Sequence, residues 1–598
     1  MPKNKNINID YTNRDFESIK QDLVDYARRY YPDSYKDFTD ASFGSLVLDT
    51  VSYVGDVLSY YVDYSVNESF LDTAIEFDNI RKHARSLGYK YAGTPSSFGI
   101  ITAYILCPAN AEGTAPDLDF LPRLKRGSSF ATAQGINFVL TEDIVFNNAQ
   151  SEFVAARFNE TTGATTYFAV RATGQIQSGL LFSSQIVLGS VFEKFKRIKV
   201  GDPSVTEIHS VVDSQGNKYY EVDNLSQEVI FVETTNKDAI TDGVRSILKP
   251  FVATRRFVVE RDDTGTYIQF GFGSEEEDTT GLVEPSKIAL NLHGKNTISN
   301  NSFDPTKLLS TNKLGISPYN TTLTINYRSN SSMGSSVAAN SIINISNREL
   351  VFEVGQNIPT EQRNIIENSL EVTNLLPINS VNSRISLEEL KRRAISNYAT
   401  QNRAVTKQDY ESLIYNMPNK FGAIKRANII NDPSATNRRL ALYVIAENSS
   451  NKLAICNNVI KNNIRNWLSF YKMLNDVIDI FDAKIVNFSV AFTVHVDKRY
   501  DHDSVLAECI TKIKDHFSEV SYIGEPIYIS RIYQLLNNIQ GVIDTKNVVL
   551  ENLSGGNYSK ANLVFEDAIS KDGTFIKIPQ DCIAELKFPD LDIQGTVK

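Results

Sequence analysis

The sequence predicts a multidomain α+β protein with an N-terminal helical bundle segment, a mainly β middle region and an α+β C-terminal region. Three observations carry that prediction. Apolar residues recur three and four apart through residues 10–90, short β-branched and aromatic runs divided by Gly, Asn and Asp fill 98–330, and helix caps alternate with strand patterns from about 350 onward. At about 100–200 residues per domain, the 598 residues suffice for roughly three or four domains. The boundaries read as 1–95 for a helical assembly domain, 96–345 for a mainly β region of one or more domains, and 346–598 for one or more α+β domains.

The first element is an amphipathic helix through Phe16, Ile19, Leu23, Tyr26 and Ala27, closing near Tyr31 and Pro32. Two more helices follow in 40–90. In the first, Phe43, Leu46, Val47, Val51, Val54, Leu58, Tyr61 and Val62 form a wide apolar stripe, while Gly44, Ser45, Ser52, Gly55 and Ser59 leave grooves for close helix contact. The second has Asn67 as its expected cap, Phe70, Leu71, Ala74, Phe77, Ile80, Ala84 and Leu87 inward, and Gly88 as its stop. This is more apolar surface than a small helical unit buries alone. An intermolecular seam through Phe43, Leu46, Val47, Val54, Leu58, Tyr61, Phe70 and Leu71 is therefore weighed against an ordinary intramolecular core.

In the middle region, Phe257–Arg261 and Thr266–Phe270 flank Asp262, Asp263, Thr264 and Gly265 as a hairpin. Gly271 and Gly273 follow, but SEEED comes next and no phosphate-binding helix opens there. Residues 295–345, rich in Asn and Ser, suit either β-domain turns or an exposed linker.

Beyond 350, Thr360 is placed to cap EQRNIIENSLEV, Ser386 with Glu389 has capping-box spacing, and Thr406 with Asp409 repeats it before KQDYESLIY. Arg403 is positioned to clamp a neighbouring carboxylate or carbonyl with Tyr410 beneath it, so Arg403, Thr406, Asp409 and Tyr410 form a structural motif. A helix beginning after Ser449 or Ser450 carries Leu453, Cys456, Ile460, Ile464, Trp467, Leu468 and Tyr471. The clearest strand alternates Val486, Phe488, Val490, Phe492, Val494 and Val496 with polar or small residues, His495 on the wet side. Helices at 504–518 and 531–540, the second capped by Ser530 and closed by Gly541, precede strands at 542–550, 561–566 and 582–588.

Composition narrows the function. Hydrophobic content of 42%, charged content of 22% and a formal net charge of -10 describe a globular chain with no dense cationic tract for tracking DNA phosphates. No apolar run reaches the ~18 residues needed to cross a bilayer, and the N-terminus lacks a secretory pattern, so neither nucleic acid nor membrane is expected as a partner. Cys107, Cys456, Cys509 and Cys582 lack zinc-site spacing and read as reduced core residues. The histidines show no HExxH pattern, and His502 between Asp501 and Asp503 is a charged helix start. No GxSxG elbow or Walker loop occurs, and Glu275, Glu276 and Glu277 read as a solvated loop rather than a glycosidase pair. No catalytic residue, cofactor or metal is expected.

Two stretches carry a resemblance. GSLVLDTVSYVGDVLSYYVDYSVNESFLDTA followed by RKHARSLGYK, and SLEELKRRAISNYATQNRAVTKQDYESLIY at 386–415 with its QNRAVT and DY elements, resemble the baseplate J-like family of contractile-tailed phages, in the T-even-type branch that supplies the larger wedge-core subunit. FGFG at 270–273 resembles the family's FGxG element. Simpler members carry a Gly-Gly element where this chain has LLPINSVNSRIS, a departure that sets them apart from it. The resemblance implies a structural virion protein of the tail baseplate, assembled in the host cytoplasm and without enzymatic activity. Two copies would combine with a different wedge subunit through N-terminal helices. Other domains would join neighbouring wedges, and sheath-proximal baseplate proteins, into a ring around the hub that rearranges on contraction. The competing readings are a receptor-binding fibre component and a glycan-degrading tail enzyme, against which stand the long non-repeating α+β half and the absence of a β-helix period.

Overall fold

A computed structural model describes residues 15–33, 39, 42–91, 93–147, 151–161, 163–236, 246–262, 264–274, 314–330, 335–352, 358–381, 385–431 and 439–598. Asp40, Asp263, Glu275, Glu276, Glu277, His293 and most of the 295–345 stretch's first half lie outside them. Nine principal helices are labelled here: α1 Phe16–Tyr30, α2 Phe43–Glu68, α3 Phe77–Ser86, α4 Thr360–Asn368, α5 Leu387–Thr400, α6 Lys407–Tyr415, α7 Asn458–Ser469, α8 His502–His516 and α9 Ile529–Asn537. As the sequence predicts, helices dominate the N-terminal segment, strands the middle, and both occur in the C-terminal region.

The chain divides into two compact units, and the division crosses the sequence-based boundaries. One unit gathers Met1–Tyr91 with Arg384–Asn416, and the other gathers Ala92–Ser383 with Met417–Lys598. Residues 384–416, assigned from sequence to the 346–598 block, thus belong with the N-terminal helices. The reason is a shared core: Ala74, Ile80, Ala84 and Tyr89 pack with Leu390 and Ala394, edged by Leu71, Phe77, Leu87 and Leu387. The small helices α3 and α5 each have one apolar stripe, and each covers the other's.

In the larger unit, strands 342–347, 129–132, 137–140, 165–178, 98–108 and 371–373 lie in that order in one sheet, with 152–158 also on 165–178. The strand Glu371–Thr373 pairs antiparallel with Thr102–Tyr104, and Ile366 and Leu370 enter the core around Ile101, Ile105 and Phe130. Residues 360–373 are therefore part of the middle region's fold, which again crosses the boundary placed at 345. A second sheet runs 180–187, 322–329, 205–212, 218–221, 256–262, 265–270 and 197–201. Its 256–262/265–270 hairpin is the one the sequence predicts, closed by Asp262 accepting from the N–H groups of Thr264 and Gly265.

Toward the C-terminus, the strand Lys484–Val496 is central, flanked by Val542–Leu553 antiparallel and by Cys582–Glu585 and Ile593–Val597 parallel. Val486, Phe488, Val490, Phe492, Val494 and Val496 are all buried against α8 and α9, while His495 is exposed and bonded to the Lys598 carbonyl at 2.6 Å. The alternation was legible because a half-covered sheet enforces it.

Several local expectations are corrected. Asn67 lies within α2 and donates to the Asp63 carbonyl, so the following helix starts ten residues later, at Phe77. The delay arises because Glu68 and Thr73 bond backbone groups of the intervening turn. Thr360 is the first residue of α4 after Pro359, without a side-chain cap, and the EV that ends its pattern is in a strand. Asn457 caps α7 at the N–H of Val459, so Leu453 belongs to a short strand. Ser530 lies inside α9, and 565–568 is a helical turn where a strand is predicted over 561–566. Gly88, with φ of +83°, follows the cap of α3 as expected, whereas α9 ends at Asn537, short of the predicted 540, so Gly541, with φ of +98°, lies in the turn beyond it rather than closing the helix.

Candidate assembly surface

The smaller unit carries a helical hairpin whose apolar side is bare. Asp15 and Ser18 cap α1 reciprocally, and the Ser42 hydroxyl accepts the Ser45 N–H at the head of α2. At 1.5 Å per residue the 26 residues of α2 extend about 39 Å. The two helices meet where Gly55 faces Ile19; a Cβ at Gly55 would stand 3.2 Å from the Ile19 Cδ1. Lys20 bonds Asp49 at 2.8 Å beside this contact. The sequence's small-residue groove is thus occupied by α1.

That contact covers the polar and small side of α2. The buried residues of α2 are Ser45, Ser52, Asn67 and Glu68, and α1 has none. The predicted seam residues stand in solvent: Phe43 is 81% exposed, Leu46 60%, Leu58 59% and Tyr61 60%, with Val47, Val54 and Phe70 about half exposed. Leu71 departs from the set, because it edges the core of α3 and α5. The sequence reading also missed Tyr53, Tyr60 and Tyr64, which are exposed on the same helix. Their signal was present as a heptad in which Val47, Val54 and Tyr61 stand at a, Phe43, Val57 and Tyr64 at d, Val51 and Leu58 at e, and Leu46, Tyr53 and Tyr60 at g. At 100° per residue the exposed apolar positions cover roughly 200° of the helix. A single neighbouring helix fills a narrower seam than this.

The foot of α2 is braced. The buried Glu68 carboxylate accepts from the N–H groups of Ile75 and Glu76 and from the Asn79 amide at 2.9 Å, while the Glu68 carbonyl meets His83 Nε2 at 2.9 Å. Burial alone would raise its pKa; the hydrogen bonds from Asn79, Ile75 and Glu76 outweigh it and hold the carboxyl below its ordinary value. The buried Lys391 ammonium donates to the Asp72 carbonyl at 2.9 Å. Arg393 pairs with Glu389 and lies 4.3 Å over the Tyr415 ring. The two sequence stretches that carry the resemblance, almost 300 residues apart, therefore form one body.

Within the second stretch, Thr406 and Asp409 make the predicted reciprocal capping box. Tyr410 is buried as expected. Arg403 is exposed instead of clamped over it, because the turn after α5 directs the side chain outward. Ser386 caps α5, but Glu389 turns away to Arg393, so that box is only half made. Among the described residues, Asp501 caps α8 beside His502, and no cluster of three or more His, Cys, Asp or Glu side chains is placed to hold a metal ion. Among the same residues no helix is long and apolar enough to cross a membrane.

The segment that carries this surface is similar to a known domain. Residues 15–86 match the family described as bacteriophage baseplate protein, N-terminal domain. No curated protein matches the chain. Among solved structures, a chain of the anti-feeding prophage baseplate is similar at 10% identity over 96% of this chain and 99% of that one, with a TM-score of 0.24. A chain of the type VI secretion system TssK-TssF-TssG baseplate subcomplex is similar at 8% identity over 74% of this chain and 96% of that one, also with a TM-score of 0.24. The helical arm is similar in sequence to the N-terminal domain of bacteriophage baseplate proteins, and the role this match supports is a structural one in a tail baseplate.

Proposed function

We propose that this chain is a baseplate wedge subunit of a contractile phage tail, of the J-like type found in T-even-type baseplates, and that α1–α2 is its assembly arm. The observation that carries the reading is the bare apolar face of α2 within the segment that matches the baseplate N-terminal domain. Burying a Val or Leu side chain contributes about 1.5–3 kcal/mol, so a row of such residues left in water finds its stability in partner helices. In this reading two copies and one different wedge subunit bring their arms together, which suits a helix that is apolar on both flanks of its heptad. The larger unit then joins neighbouring wedges around the hub and follows the ring when the tail contracts. The role is architectural, without turnover.

The test is co-expression with the neighbouring structural genes. Replacing Val54 and Leu58 together by Asp should abolish the complex while the larger unit keeps its fold, since both residues are solvent-exposed in the isolated chain. Normal assembly of that variant would remove α2 from the decisive contact.

A further inference from the structure

The larger unit carries a two-stranded β-ribbon that joins no other strand among the described residues. Val229–Thr235 lies antiparallel to Ser246–Val252, from Val229 opposite Val252 to Thr235 opposite Ser246. Two strands alone are marginally stable in water. The foot of this ribbon is nevertheless held firmly. Buried Arg256 donates from Nε to the Leu225 carbonyl and from Nη1 to the Ala253 carbonyl, both at 2.7 Å, so one guanidinium grips the chain where it enters the ribbon and where it leaves. The Ala253 N–H donates to the Glu228 carbonyl at 2.8 Å, and the Phe251 ring lies 5.2 Å from that of Tyr220.

The two edges of the ribbon differ. Pro250 stands opposite Phe231 and has no N–H, so this pair exchanges no hydrogen bond and the N–H and carbonyl of Phe231 point away from the partner strand. By the same alternation Val229 and Glu233 point outward, and the Val229 carbonyl accepts the Gln227 amide at 3.2 Å. The missing N–H of Pro250 falls on the opposite edge, with exposed Lys249 next to it, and these are the residue types that keep a strand edge from pairing. The Val229–Thr235 edge has neither Pro nor Lys. One edge is open and the other is blocked, so the ribbon can take up one strand pair and then stops.

Phe231, Leu248 and Val252 share one face of the ribbon and are 68%, 60% and 54% exposed. Together they offer on the order of 300 Å² per copy, well short of the about 800 Å² per partner of a free-standing complex. The occupant is therefore a strand already held nearby rather than a freely diffusing partner. We infer that the Val229–Thr235 edge of one copy pairs antiparallel with the same edge of a second copy, about a two-fold axis at Phe231, to close a four-stranded sheet. The inference rests on the wedge reading, which brings two copies into one assembly. Identical edges are their own complement under a two-fold axis, and the two Phe231 rings become a directly opposite aromatic pair. The Pro250 edges end the sheet on both sides, at a strand number that stabilises a sheet with an apolar face.

The experiment uses full-length chains co-expressed with the neighbouring structural genes. In the assembled complex the Phe231 amide should exchange at least tenfold more slowly than in the isolated chain. Opposite residues in such a pair lie about 5.5 Å apart between Cα atoms, within disulfide reach, so Phe231→Cys should give an oxidised band joining two copies of this chain; the four native thiols are buried. Adding Glu233→Pro removes an outward N–H while leaving the ribbon's own ladder whole, and should cut that cross-link at least fivefold. Slow exchange at Phe231 without a disulfide between copies gives the edge to a strand of a different subunit and overturns the inference. Fast exchange at Phe231 in a complete multi-copy complex also overturns it, and both outcomes leave the wedge reading standing. Failure of the parent chain to join any multi-copy complex overturns both.

Discussion

The Lys391 ammonium on α5 donates a 2.9 Å hydrogen bond to the Asp72 carbonyl, 319 residues earlier in the chain. Both ends of the bond lie in the smaller unit, where it ties the segment after residue 384 to the turn that ends α2. The bare arm is therefore held by a core drawn from two distant parts of the sequence, and that arrangement makes the following outcomes testable.

Lys391→Met keeps the stem's volume and removes the donor. A lost hydrogen bond from a charged group costs about 1.5–3 kcal/mol, set against relief of burying the charge, whose pKa burial already lowers. The expected net result is faster amide exchange in α3 and α5 with little change in the sheets of the larger unit. Uniform exchange throughout would contradict the shared core.

Glu68 makes the foot of α2 sensitive to acid. Its folded-state pKa lies below the ordinary value near 4.5, so its contribution is complete above that value and is lost as pH falls through the folded pKa. Glu68→Gln should lower stability by about 1–3 kcal/mol at neutral pH and flatten the acid limb of the unfolding curve. A variant whose acid limb matches the parent's would show that other carboxylates control it.

The thiols give the opposite sign. Burial pushes Cys107, Cys456 and Cys582 up to about 12 and Cys509 to about 11, against an ordinary value near 9.0. Their neutral forms stabilise the fold fully below pH 9, and the contribution is lost as pH rises through 9 toward the folded values, because only the unfolded chain releases these protons readily. A thiol-reactive reagent at neutral pH should modify none of the four quickly in the native protein and all four in denaturant.

Asp409→Ala removes the acceptor of the Val405 and Thr406 N–H groups and should cost about 0.5–2 kcal/mol. Thermal unfolding of the variant checks it. An unchanged melting temperature would show that water replaces the cap.

A fragment of residues 350–598 should aggregate. It would lose the Thr102–Tyr104 partner of Glu371–Thr373 and the Ile80, Ala84 and Tyr89 side of the core that α5 completes. A soluble, cooperatively melting fragment would restore a boundary near 350.

Elements whose pattern is local were written in the sequence. The stripe from Phe43 to Val62, the alternation from Val486 to Val496, the hairpin around Gly265, the Thr406–Asp409 cap and the burial of the four cysteines each follow from a period or spacing within a few residues, and the structure has all of them. Local signals also misled where bonds within the following turn outbid them. Asn67 reads as a cap, but buried Glu68 binds Ile75 and Glu76 and holds the next helix back to Phe77. Only the tertiary structure decided which stripe is covered and by what. Periodicity shows that Leu71 and Leu58 are both apolar, and only the packing of Leu390 and Ala394 against the α3 core leaves one at its edge and the other in water. The joining of 384–416 to the N-terminal helices is of the same kind, since burial is a property of surfaces that meet in space, and no spacing along the chain records which distant surface will arrive.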